Sequence, residues 1–152
     1  MLVFRTSERQ PEPKLPDDIR FIIIDDALSA LKISPAFMRS WGVLNTMKMI
    51  FKSSTTTRTY YALIQDGVVV SDGWIMRGGC VSYAIGKEDY VIGPINTPEI
   101  NRGRGLAHMS LVRAINFCLG RGGRWVYIDT IESNISSRRV IEKSGMRICV
   151  KE

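Results

Sequence analysis

Apolar residues fall into short blocks along this chain, each the length of a strand or of one helix face. Ile19 to Ile24 predicts a first strand. Asp25 or Asp26 can cap a helix running through Ala27, Leu28, Ala30 and Leu31. Ser34-Pro35 restarts it, with the proline suited to a first turn. Phe37, Met38, Trp41, Leu44, Met47 or Met49, and Phe51 follow at helical spacing, and the Met38, Trp41, Met47 and Met49 set predicts a core-facing side. Thr59 to Ile64 reads as a strand, Gln65-Asp66-Gly67 as a hairpin turn, and Val68-Val69-Val70 as a return strand continuing to Met76. After Arg77-Gly78-Gly79, residues 81–85 predict a short extension and Tyr90 to Asn96 a further strand. Leu106 to Leu119 shows a helical stripe of Leu111, Val112, Ile115, Cys118 and Leu119, closed by Gly120, Gly122 and Gly123. Trp125 to Ile131 is apolar enough for a strand covered on both faces. Asn134 caps a last helix that stops at Gly145, and Ile148-Cys149-Val150 is the final strand.

The predicted order is therefore β-α-α-β-β-β-α-β-α-β, without internal repeats. At 152 residues the chain suits one domain with one core. Residues 7–18 carry three prolines and four acids, so residues 1–18 read as an N-terminal arm or linker and 19–152 as the domain. No apolar run approaches the ~18 residues of a membrane span, and the first residues show no secretory signal. Cys80, Cys118 and Cys149 are odd in number and far apart, which predicts neither a disulfide framework nor a zinc site and suits a reducing cytoplasm. One histidine, His108, leaves little for a histidine metal site, so no metal is expected; it falls on the apolar stripe and reads as a packing residue.

The formal charge of +6 fits nucleic acid or an anionic cofactor. A local basic cluster runs through Arg102, Arg104, Arg113, Arg121 and Arg124, but no aromatic-interleaved RNA motif accompanies it, so nucleic acid is not expected. The informative stretch is Arg102-Gly103-Arg104-Gly105-Leu106-Ala107, between a strand and a helix. Glycines remove Cβ atoms where a ligand approaches most closely, and unpaired N–H groups at a helix start suit a phosphate. The segment reads as a pyrophosphate cradle.

Arg102-x-x-Gly105-x-Ala107, followed by a strand, Asn134-x-x-Ser137 and Glu142-Lys143-Ser144-Gly145-Met146, resembles the GCN5-related N-acetyltransferase (GNAT) superfamily. The likeness is specific over residues 89–149. Ile92 to Thr97 and Ser136 to Gly145 also look like members found with surface-polysaccharide genes. The resemblance implies an α/β (α+β) fold with a mixed, twisted central sheet flanked by about four helices. It implies acetyl-CoA as co-substrate and direct acetyl transfer to a primary amine of a small molecule, such as an amino sugar. A protein N-terminus as acceptor and a non-catalytic acyl-CoA-binding module are the alternatives.

Carried onto this chain, the resemblance places Gly103, Arg104, Gly105, Leu106 and Ala107 at the pyrophosphate, with the Arg102 and Arg104 side chains adding charge. Ile95, Asn96 and Thr97 would pair with the pantetheine amides, the Ile95 N–H would hold the oxyanion, and Asn134 and Ser137 would anchor the arm near the thiol. Direct attack needs no enzyme nucleophile, only positioning and a path for the ammonium proton. Glu132 is the expected base, with Asp129 beside it and Asp72 a further carboxylate; Tyr83 and Tyr90 read as packing residues that could reach the mouth. Two departures stand out. Ile141 occupies the place, seven positions after Asn134, where many members carry a proton-donating tyrosine, and Pro98 to Arg102 is one residue longer than usual. A family sheet has one more strand after the last one seen here, which leaves an edge that a second copy would complete as a homodimer.

Overall fold

The structure is a computed structural model and describes residues 1–55, 58–80 and 82–151. Seven strands form one sheet: β1 (Leu2–Thr6), β2 (Ile19–Ile24), β3 (Arg58–Gln65), β4 (Val68–Arg77), β5 (Tyr90–Asn96), β6 (Val126–Thr130) and β7 (Arg147–Lys151). Their spatial order is β2-β3-β4-β5-β6-β1-β7. Every neighbouring pair is antiparallel except β5 and β6, which run parallel. Among the described residues, four α-helices flank the sheet: α1 (Ala27–Trp41), α2 (Val43–Thr55), α3 (Leu106–Gly120) and α4 (Ile135–Lys143). None of them is long and apolar enough to cross a membrane, among the described residues.

Strands β3 and β4 are buried on both faces, their successive side chains alternating between two apolar clusters. On β3, Tyr61 joins Leu111, Ile115 and Cys118 of α3 in one apolar cluster. Tyr60 and Ala62 join Ala30 and Phe37 of α1 and Met49 of α2 in another. Phe37, Trp41, Tyr60 and Trp74 meet as an aromatic group with neighbouring ring centroids 5.0–5.5 Å apart. Gly73 is fixed by a close approach: a Cβ there would stand 2.4 Å from the Tyr61 hydroxyl oxygen.

Four sequence expectations change. The strands begin at Leu2, not Ile19. Leu2, Val3 and Phe4 are buried, and β1 lies between β6 and β7, with Leu2 opposite both Thr130 and Lys151. Among the described residues β7 remains the outer strand, with β1 as its one strand neighbour. Residues 7–18 are also not a loose arm. Asn116 of α3 exchanges two hydrogen bonds with the Gln10 backbone, at 2.9 and 2.8 Å, and Arg113 pairs with Glu12 at 2.7 Å. The helical stripe from Phe37 to Phe51 is broken at Gly42, whose φ of +79° ends α1 before α2 begins at Val43. Phe37 and Met49 reach the core, Trp41 packs beside it, and Met38, Leu44, Met47 and Phe51 are exposed. Residues 82–85 form no strand, and residue 81 lies outside the described residues.

Candidate functional site

Strands β5 and β6 pair over two positions only, Tyr90 with Val126 and Val91 with Tyr127. Beyond them Pro94 offers no N–H to a neighbouring strand. The strands part, and the wedge between them opens into a cavity of about 750 Å³. Ile95, Asn96 and Thr97 line one wall. Arg102, Gly103, Gly105, Leu106 and Ala107 line the end nearest α3. Ile128 and Asp129 of β6, with Asn134, Ser137 and Ile141 on the α4 side, close the other wall.

The loop end has the features of an anion cradle. Gly103 and Gly105 sit at φ +77° and +76°, the left-handed region that favours glycine. A Cβ on Gly103 would meet nothing within 4 Å, and one on Gly105 would meet only the Met109 methyl at 3.9 Å, so added side chains would occupy the space before the loop. Gly105 caps α3 without any side-chain hydrogen bond, and no acceptor among the described residues takes the N–H groups of Gly103 to Ala107. These donors suit the oxygens of a pyrophosphate. Leu106 is buried against Leu63 and Val70, so it seats the helix start and offers the cavity only its backbone. The lengthened segment before the loop forms a short 3₁₀ turn, Glu99–Asn101.

The two arginines separate. Arg102 lines the cavity, its Nε donating to the Thr97 carbonyl at 3.2 Å. Arg104 is drawn aside: its guanidinium donates to Asn101 Oδ1 at 3.1 Å and to Gln65 Oε1 at 2.9 Å, and it is not part of the cavity wall. Its side chain braces the loop against the β3–β4 hairpin, while its backbone remains in the cradle. The other basic residues are dispersed, Arg113 on Glu12 and Arg121 on Asp25 at 3.0 Å.

A buried chain of hydroxyls joins the cradle to β5. Ser110 Oγ donates to the Ala107 carbonyl at 3.1 Å, so it must accept from Ser71 at 3.2 Å, and Ser71 in turn accepts from Thr97 at 3.1 Å. One carbonyl at the end fixes every donor before it. Asn96 Nδ2 donates to Asp72 Oδ1 at 3.2 Å, which puts Asp72 one hydrogen bond behind the wall. Burial holds the Asp72 carboxyl above the usual carboxylate range, against the opposing pull of the Tyr60 hydroxyl and the Asn96 amide.

At α4, Asn134 Oδ1 accepts from Ser137 N at 3.2 Å and Ser136 Oγ at 3.0 Å, so its cap role uses the oxygen and leaves the amide N–H₂ for the cavity. Ile141 is buried and supplies no proton. His108 does more than pack. It lines the cavity and contacts Ser144 Oγ at 3.0 Å. Ser144 spends its proton on the Val140 carbonyl at 2.9 Å, so His108 Nδ1 carries the hydrogen. Burial, then the Lys143 charge, lowers the imidazole pKa and keeps the ring neutral.

The carboxylate at the wall is Asp129. Glu132, the expected base, lies outside the cavity lining, in the turn between β6 and α4. The Tyr83 hydroxyl donates to Asp129 Oδ1 at 3.2 Å. Burial first, then the Asp129 charge, pushes the Tyr83 phenol up and keeps it a donor. Tyr83 comes from the β4–β5 loop, whose base is tied by Asp89: its carboxylate accepts from Gly86 N at 2.7 Å and Trp125 N at 3.2 Å. Tyr90 packs in the core. The hydroxyl chain, Asp89 and the Tyr83–Asp129 pair were not legible as contacts; only the residue types were visible.

No protein-family model and no curated protein sequence matches the chain. Solved structures do. A GCN5-related N-acetyltransferase from Kribbella flavida superposes with a TM-score of 0.61 at 14% identity, covering 97% of this chain and 53% of its own. One from Sphaerobacter thermophilus gives 0.61 at 18%, covering 97% and 48%. Aminoglycoside N-acetyltransferase AAC(6')-Iy, solved with CoA, gives 0.62 at 14%, covering 91% and 95%. The chain spans about half the length of the first two. At these identities the likeness establishes the fold: this is a GNAT-fold protein.

Proposed function

We propose that this chain binds acetyl-CoA in the wedge and transfers its acetyl group directly to a primary amine of a small molecule. The observation that carries the reading is the combination, in one cavity, of a glycine cradle with unpaired N–H groups and a strand wall freed of its neighbour. The pyrophosphate meets Gly103 to Ala107, with Arg102 beside it. The pantetheine arm lies along Ile95, Asn96 and Thr97 and takes the place of the missing strand partner. Asn134 and Ser137 face the arm from α4, and the Ile95 N–H is the donor to the developing oxyanion. A fold neighbour solved with CoA and others named as aminoglycoside acetyltransferases support both the cofactor and the acceptor class. An amino sugar is one such amine. Three free, separated cysteines suit a reducing compartment.

Ile141 favours a second reading, an acyl-CoA-binding module without turnover, because no side chain at that position protonates the thiolate. Titration calorimetry with coenzyme A and thiol release from acetyl-CoA across a panel of primary amines separate the two. Amine-dependent thiol release is expected. Gly105→Glu places a side chain and a negative charge in the cradle at a left-handed position, and coenzyme A affinity should fall roughly 100-fold or more. Unchanged affinity in this variant would sink the cofactor reading.

A further inference from the structure

We propose that Asp129, held by the Tyr83 hydroxyl, receives the acceptor's ammonium group at the closed end of the wedge and takes its proton. The proposal rests on the acetyl-transfer reading above and assigns the acid–base work that Ile141 leaves open.

Position is the first argument. The parallel register of Tyr90 with Val126 and Val91 with Tyr127 puts Asp129 level with Gly93, just past the last paired position. The cradle lies at the other end of β5. An acetyl group held at Ile95 therefore has Asp129 beyond it, on the side away from the pyrophosphate. The second argument is charge. Asp129 is the only carboxylate lining the cavity among the described residues, while Arg102 and the free N–H groups stand at the opposite end. The wedge is thus polarised, positive where phosphates enter and negative where an ammonium would arrive. Preorganisation is the third. The antiparallel pairing with Val3 of β1 fixes the Asp129 backbone. Tyr83 engages Oδ1, which leaves Oδ2 for the acceptor. The rings of Tyr83 and Tyr127, with centroids 6.1 Å apart, add faces that attract a cation.

The step balances without a tyrosine at position 141. The ammonium nitrogen passes one proton to Asp129 Oδ2, and its freed electron pair forms the C–N bond to the thioester carbon. The C–S bond breaks with its pair on sulfur. A second proton leaves the nitrogen for the thiolate through water, and Asp129 releases the first to solvent. Ammonium and acetyl-CoA become amide, free thiol and one proton. Asp129 is the catalytic residue; Tyr83 positions it.

The test compares the wild type with Asp129→Asn, Asp129→Glu and Tyr83→Phe, measuring coenzyme A affinity by calorimetry and kcat and KM by thiol release over the amine panel. Asp129→Asn should lower kcat by about 100-fold or more with coenzyme A affinity within about twofold, and Asp129→Glu should recover at least tenfold of the loss. Tyr83→Phe should lower kcat by roughly tenfold and leave KM for acetyl-CoA unchanged. The Glu variant also covers the case in which Asn disturbs folding. A kcat within about threefold of wild type in Asp129→Asn overturns the proposal, as does a Tyr83→Phe defect confined to KM for acetyl-CoA. Coenzyme A binding with no turnover of any amine overturns it and spares the cofactor site. A wild type that ignores coenzyme A overturns the parent reading and this one with it.

Discussion

Asp72 shows how far one residue's meaning depends on what surrounds it. In the chain it is a polar letter beside Gly73-Trp74; in the fold it is buried, with an amide from the adjacent strand on one oxygen. Because burial raises its folded pKa, the charged form is the disfavoured one. Its contribution is then most favourable below the ordinary carboxylate range and is lost as pH rises through the raised value. Asp72→Asn keeps the acceptor for Asn96 and removes the charge, so its melting temperature should exceed wild type at pH 7, with the gap closing as pH falls toward ~4. Thermal melts at several pH values check the sign. Arg102 and Arg104 make the same point about direction. They stand two positions apart in one loop, and two partners, Asn101 and Gln65 on the hairpin, hold one of them out of the cavity.

At the scale of elements, the glycine loop before α3 is tied to the end of β5. The chain from Thr97, just after β5, through Ser71 of β4 and Ser110 to the Ala107 carbonyl of α3 has every hydroxyl committed. Ser71→Ala breaks the middle of it and leaves the Thr97 donor unpaired. We expect a loss of about 1 kcal/mol in stability and a roughly threefold to tenfold weaker affinity for coenzyme A, read from denaturant unfolding and calorimetry. α3, the hairpin and α4 are legible because their signals are local: periodicity, an Asp-Gly turn, a cap and a glycine stop. The α1–α2 break at Gly42 was not, because an apolar spacing continues across it while the helical backbone does not. The same limit hid Tyr83 from Asp129, which are 46 positions apart.

For the molecule as a whole, the decisive feature is β1. It inserts between β6 and β7, and the two ends of the described chain lie side by side there, Leu2 opposite Lys151. Burying Leu2, Val3 and Phe4 contributes roughly 1.5–3 kcal/mol for each side chain, a large part of the ~5–15 kcal/mol that holds a domain folded. Removing residues 1–6 should therefore abolish the cooperative thermal transition, and moving them to follow β7 through a short glycine-rich turn should restore it together with coenzyme A affinity. Failure of the rearranged chain to fold would show that β1 needs its own connection along α3. Local pattern alone determined α3, α4, the hairpin, the glycine loop before α3 and the apolar Ile141, because each depends on neighbours a few residues away. The place of β1, the hydroxyl chain, the turning aside of Arg104 and the meeting of Tyr83 with Asp129 were decided only by tertiary structure, because their partners lie 26 to more than 100 residues apart and meet only once the sheet has closed.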